Sequence, residues 1–184
     1  MVTYVTFADA SFTLVDKEGN KKTTKGEGLL LYNRGTVCDD GFTDHSANAI
    51  CKEMGYQLMI SWSYGLKWSN LQLGYSIKLD EVRCPSPSWS TCGYKTSNDC
   101  GHSEDVFLSC RCSIGFYRES DTCIQCPADT YNAADGIETS CTGCPGSSTS
   151  EPGSSYCSCG AGMFWNNLNC ENCTHHFVSQ EGAL

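Results

Sequence analysis

Fifteen of the 184 residues are cysteine, and that number limits the fold before any periodicity is read. A cysteine fraction near that of disulfide scaffolds belongs to an oxidising compartment, outside the cell. A formal net charge of −9 argues against a nucleic acid partner. No run of about 18 apolar residues occurs, so nothing in this stretch is expected to span a membrane. Met1 to Val15 lacks the basic start and sustained apolar run of a signal peptide. The chain therefore reads as a mature or excised part of a secreted or cell-surface protein. An odd cysteine count leaves one over, and Cys173, near the unpatterned tail to Leu184, is expected to pair in a further repeat beyond this stretch.

The first half carries ordinary secondary-structure signals. Val5, Phe7, Phe12 and Leu14 suggest strands between Val2 and Val15. Lys17, Lys21, Lys22 and Lys25, balanced by Glu18 and Glu27, read as a solvated hairpin tip. Gly28–Tyr32 should be a buried strand. Gly35–Phe42 reads as a short strand and an acidic turn, leading into one helix from Thr43 to Gly55. Thr43 or Asp44 can cap it, Ala47, Ile50, Cys51 and Met54 form its apolar face, and Gly55 supplies a left-handed stop. The segment from Tyr56 to Tyr75, with Trp62, Tyr64, Trp68 and Leu71, reads as loop with short strands. Ile77–Cys84 alternates as a strand facing the helix, Pro85–Cys92 is an exposed loop, and Val106–Cys110 is a closing strand.

Composition shifts at Cys110-Arg111-Cys112. Beyond it Cys112–Cys126 and Cys159–Cys173 share one pattern, and Cys126-Pro127 and Cys144-Pro145 open two similar loops. Repetition with few aliphatics means loops held by bridges, each closing roughly 10 to 15 residues and contributing on the order of 3 kcal/mol. The division is 1–111 with an N-terminal strand, 112–173, and a tail 174–184. Each C-x-C followed by one more cysteine closes its own loop, which gives Cys112–Cys123 and Cys159–Cys170. The middle four pair in sequence, as Cys126–Cys141 and Cys144–Cys157, or interlock as Cys126–Cys144 and Cys141–Cys157.

Gly35-Thr36-Val37-Cys38-Asp39-Asp40-Gly41-Phe42, Cys51-Lys52-Glu53-Met54-Gly55-Tyr56, Leu79-Asp80-Glu81-Val82-Arg83-Cys84 and Cys100-Gly101-His102-Ser103-Glu104-Asp105 together resemble a scavenger receptor cysteine-rich domain over residues 11–112. The resemblance implies an α+β fold, a curved antiparallel sheet cradling one helix. In its six-cysteine form it implies the pairs Cys38–Cys100, Cys51–Cys110 and Cys84–Cys92. Cys126-Pro127-Ala128-Asp129-Thr130-Tyr131 and Cys157-Ser158-Cys159-Gly160-Ala161-Gly162 are similar to ephrin-receptor-like and tumour-necrosis-factor-receptor-like repeats, small disulfide-rich modules of the kind that includes epidermal-growth-factor folds.

No catalytic constellation stands out, and the reading is non-enzymatic. His45 and His102 are the histidines of the first domain, and no serine sits in a nucleophile elbow. Cys123-x-x-Cys126 and Cys141-x-x-Cys144 have zinc-ribbon spacing, but so many neighbouring cysteines favour bridges. Within the resembled family the aspartates and glutamate matching Asp39, Asp40 and Glu104 form a cation site that also meets ligands. Hard oxygen donors there suit calcium; alternatively Asp40 and Asp105 cap turns. Asn172-Cys173-Thr174 is a glycosylation sequon. Together these describe an extracellular recognition or adhesion fragment, binding a protein or glycan with calcium. The alternative is a self-associating structural subunit of a filament, matrix or surface coat.

Overall fold

Helix formation begins where the chain supplies a cap. Thr43 is extended (φ −140°, ψ 172°), and its hydroxyl accepts the Ser46 N–H at 3.4 Å. From there α1 runs Asp44–Glu53 and buries Ser46, Ala47, Ala49, Ile50 and Cys51. Asp44 is not the cap; its carboxylate accepts the Trp62 indole N–H at 2.8 Å. Gly55 takes φ 79°, and two bonds close the end: Gly55 N–H to the Lys52 carbonyl and Tyr56 N–H to the Cys51 carbonyl, each 2.9 Å. This is a Schellman termination, which a Cβ at Gly55 would strain.

The computed structural model describes residues 11–21, 26–119, 122–134 and 138–173. The strand expected before Ser11, the residues Lys22 and Lys25, and the tail from Thr174 with His175 and His176 lie outside the described residues. The chain divides into two units, at Cys110 and Arg111.

The first unit is built on a seven-stranded sheet. Its strands are β1 (Phe12–Val15), β2 (Glu27–Tyr32), β3 (Gly35–Val37), β4 (Leu58–Tyr64), β5 (Ile77–Arg83), β6 (Gly93–Lys95) and β7 (Val106–Arg111). They lie in the order β4-β7-β2-β3-β5-β6, with β1 added beside β2. Asn33 and Arg34, at φ 48° and 64°, turn β2 into β3 in the left-handed conformation that matches strand twist. Leu30, Val37, Leu79, Val82, Val106 and Leu108 face α1, while Val15, Leu29, Leu31 and Phe107 form a second cluster under Trp68, Leu71 and Tyr75. Burying each such aliphatic contributes about 1.5–3 kcal/mol.

Two expectations need correction. The sheet is mixed rather than antiparallel: β3 and β5 run parallel, Thr36 opposite Ile77 and Val37 opposite Leu79. The chain between them crosses over through α1 and β4, so it re-enters the sheet in its original direction. The segment after Gly55, expected as loop with short strands, holds one seven-residue strand, β4, and a helical turn that was not expected, α2 (Ser69–Gln72).

Bridges join Cys38 to Cys100, Cys51 to Cys110 and Cys84 to Cys92 in this unit. The second unit has three separate two-stranded ribbons: β8 (Phe116–Glu119) with β9 (Thr122–Gln125), β10 (Thr130–Tyr131) with β11 (Thr142–Gly143), and β12 (Met163–Trp165) with β13 (Cys170–Asn172). Its bridges run in sequence, Cys112–Cys123, Cys126–Cys141, Cys144–Cys157 and Cys159–Cys170. The fifteenth cysteine, Cys173, stands outside these seven pairs. Its N–H meets the Gly162 carbonyl at 2.8 Å, as the Cys126 N–H meets that of Gly115 at 2.9 Å. Gly115 and Gly162 share φ near +80°, at 76° and 79°. The first ribbon is thus repeated in the last.

Candidate metal centre

Residue chemistry concentrates where the Cys38–Cys100 bridge holds two turns together. Cys38 leaves β3 paired with Asp105, and the Asp39 N–H donates to the Glu104 carbonyl at 2.9 Å. Gly41, at φ 66°, reverses the chain after the two aspartates; a Cβ there would lie 2.7 Å from Arg83 Nε. On the other side a single 3-10 turn, residues 102–104, is closed by the Gly101 N–H donating to Glu104 Oε2 at 2.7 Å. One carboxylate oxygen from each of Asp39, Asp40 and Glu104 then lies within 4.8 Å of the others.

These charges oppose one another. Burial, followed by repulsion from Glu104 and Asp40, holds the Asp39 carboxyl above its ordinary value of 3.8. Asp40 is raised too, by desolvation in the turn and then by the charges of Asp80, Glu104, Asp99 and Glu81. Hard oxygen donors that repel in this way suit a divalent cation of the calcium type. A second grouping of Cys38, Asp40, Asp80 and Cys100 has the same spread. Its sulfurs are bridged and offer no thiolate, so it adds only Asp80, which is 3% exposed. Asp80 was not among the carboxylates read from sequence, although it sits in the Leu79–Cys84 stretch. Beside it Glu81 pairs with Lys95 and, at 3.6 Å, with Arg83; the Lys95 hydrogen bond holds Glu81 low.

Raised aspartates set the sign of a pH effect. Without a cation, the stability that protonated Asp39 and Asp40 contribute is present below pH 3.8 and is lost as pH rises through their raised values. A divalent cation held there would compete with protons for the same oxygens. The calcium-induced rise in melting temperature should therefore be absent near pH 3.8 and grow as pH climbs through that window. Calorimetry with millimolar calcium at stepped pH checks this; an increment that shrinks with rising pH refutes it.

The residue that positions this turn is Gln72, fully buried at the end of α2. Its Oε1 accepts the Trp68 N–H at 2.7 Å. Its Nε2 lies 2.8 Å from Asp105 Oδ2 and 3.0 Å from the carbonyls of His102 and Gly65. His102 Nδ1 also meets Asp105 Oδ2, at 2.9 Å. Nothing in the sequence around Ser69-Asn70-Leu71-Gln72 marks a buried hub, because one glutamine in a polar segment has no periodic signature. Gln72→Leu should cost about 1–3 kcal/mol, since it leaves the buried Asp105 carboxylate short of a donor. Thermal unfolding with all bridges intact reads that loss.

Among the other sequence candidates, Cys123, Cys126, Cys141 and Cys144 each lie in a different bridge and supply no zinc thiolate. Asn172 is exposed on β13, while Thr174 of its sequon lies outside the described residues. Among the described residues, no helix is long and apolar enough to cross a membrane.

Comparison with known proteins places the first unit. Residues 20–111 match the profile of the scavenger receptor cysteine-rich domain. Lysyl oxidase homolog 2B of Danio rerio is 41% identical over 96 residues, covering 49% of this chain. Lysyl oxidase homolog 4 of Homo sapiens is 35% identical over 101 residues, covering 53%. The chain spans only 12% and 13% of those two proteins. Among solved structures, the dimeric form of the SRCR domain of mouse MARCO is 30% identical, with a TM-score of 0.35 over 47% of this chain and 85% of that one.

Proposed function

The chain belongs to the scavenger receptor cysteine-rich family, a family of non-catalytic extracellular binding modules, and from that premise we propose a calcium-assisted recognition function for its first unit. The partner is a protein or glycan outside the cell. Asp39, Asp40 and Glu104 hold the cation, and an anionic or carbonyl group of the partner completes its shell. One observation carries this reading: three carboxylates with oxygens within 4.8 Å of one another, with Asp39 and Asp40 both pushed above the ordinary aspartate range. Few charged ligands on an exposed turn give weak affinity, a Kd on the order of 10⁻⁴ to 10⁻³ M as in extracellular modules.

In the same reading, residues 1–111 form the recognition domain, and 112–173 are ephrin-receptor-like repeats acting as a spacer that carries glycan on Asn172. The test is the unfolding temperature of the full chain, with calcium against chelator. At tenfold excess over Kd, mass action should stabilise the first unit by about 1.4 kcal/mol. Equal unfolding temperatures in both conditions would reduce the cluster to a pair of capped turns.

A further inference from the structure

We propose that the first unit carries a second ligand site, a cleft beside Phe107 that takes the end of a neutral oligosaccharide. The proposal rests on the recognition reading above and adds a ligand class to it. The cleft holds about 370 Å³ and lies between the turn at Asp16–Glu18, the start of β2, the second half of β4 and residues 107–109 in the first part of β7. That is near the small end of ligand pockets, about 300–1,000 Å³, and too small for the face of a folded partner.

Its chemistry is two-sided. Phe107 and Trp68 line it, meeting edge to face at 4.8 Å and 88°. Phe107 is 7% exposed and forms the floor, so the half-buried Trp68 offers the aromatic carbon that packs against the C–H face of a sugar ring by dispersion. Around these rings stand Ser61, Ser63 and Ser109, which can donate and accept. Lys67 holds its Nζ 4.6 Å over the Phe107 ring and 2.5 Å from Ser63 Oγ. Glu27 begins β2 opposite Ser109 and is exposed, so its carboxylate is open to hydroxyl donors.

Charge chooses among ligands that share those features. The lining brings two lysines, Lys17 and Lys67, against three carboxylates, Asp16, Glu18 and Glu27, so no positive field draws in a sulfated or phosphorylated group. Alternating donors and acceptors match vicinal hydroxyls, which do both. None of Asp39, Asp40 and Glu104 lines the cleft, so binding here needs no calcium.

The test titrates isotope-labelled full chain, kept in EDTA, with chitotriose, mannotriose and cellotriose, and with a heparin tetrasaccharide as the anionic comparison. At least one neutral trisaccharide should shift the Trp68 indole and the Phe107 and Ser109 amides saturably, in the millimolar range. Trp68→Ala and the shape-preserving Glu27→Gln should each weaken that binding by about tenfold, and Asp39→Asn should leave it unchanged. No saturable shift with any neutral probe overturns the site. So does a shift indifferent to both cleft variants, or tighter binding of the heparin fragment. Because calcium is chelated throughout, failure of the cation reading leaves these outcomes untouched.

Discussion

Replacing Cys51 and Cys110 together by alanine should destabilise the first unit by about 4 kcal/mol. The bridge spans 59 positions and ties the buried side of α1 to β7, and both half-cystines are fully buried. Chain entropy released to the unfolded state grows with the loop, so removing Cys84–Cys92, which spans 8 positions, should cost less, about 2.5 kcal/mol. At about 4–8 °C per kcal/mol for a domain of this size, the long-loop variant should melt at least 15 °C lower. Differential scanning calorimetry on both double variants checks the order. If removing the short bridge costs as much as removing the long one, the stabilisation is local packing rather than loop closure.

Neutralising the acidic turn should reverse its effect according to whether calcium is present. Asp39→Asn and Glu104→Gln keep shape and, for Glu104, the acceptor that takes the Gly101 N–H. With chelator, both variants should be at least as stable as the parent near neutral pH, because each removes a partner in the repulsion that raises Asp39. With millimolar calcium, both should lose the rise of about 1.4 kcal/mol expected of the parent, together with calcium-dependent capture of the partner. A variant that keeps the full calcium increment places the ion elsewhere.

How much of this could be read from the sequence depended on whether a residue's role is local. Helix α1 was legible because cap, apolar face and stop all lie within one stretch, Thr43 to Gly55. Strand β4 was legible only as a short strand within a loop: residues 60–64 alternate apolar side chains with serine, but as an edge strand it has both faces largely open, so the alternation marks no buried face. The direction of β5 against β3 was hidden too, since periodicity marks a strand but not which way its neighbour runs. In the acidic turn, Asp39 and Asp40 are adjacent in sequence, and Glu104 comes to them through the Cys38–Cys100 bridge. Asp80 and Gln72 were invisible as members, because each acts through a fold contact more than thirty residues away.

The sequential bridges of the second unit have a mechanical consequence. Pulled from Cys112 to Cys173, the chain would transmit load across each disulfide, not around its loop. Spans of 11, 15, 13 and 11 positions are short-circuited in turn. What remains in the load path is four short links: Ile124-Gln125, Thr142-Gly143, Ser158 and Glu171-Asn172. Each short-circuited residue would otherwise release about 3.3–3.6 Å of contour. In an oxidising medium this unit is therefore a nearly inextensible tether. A reductant would turn it into a slack string several times longer, with no change in the residues that join it to its neighbour.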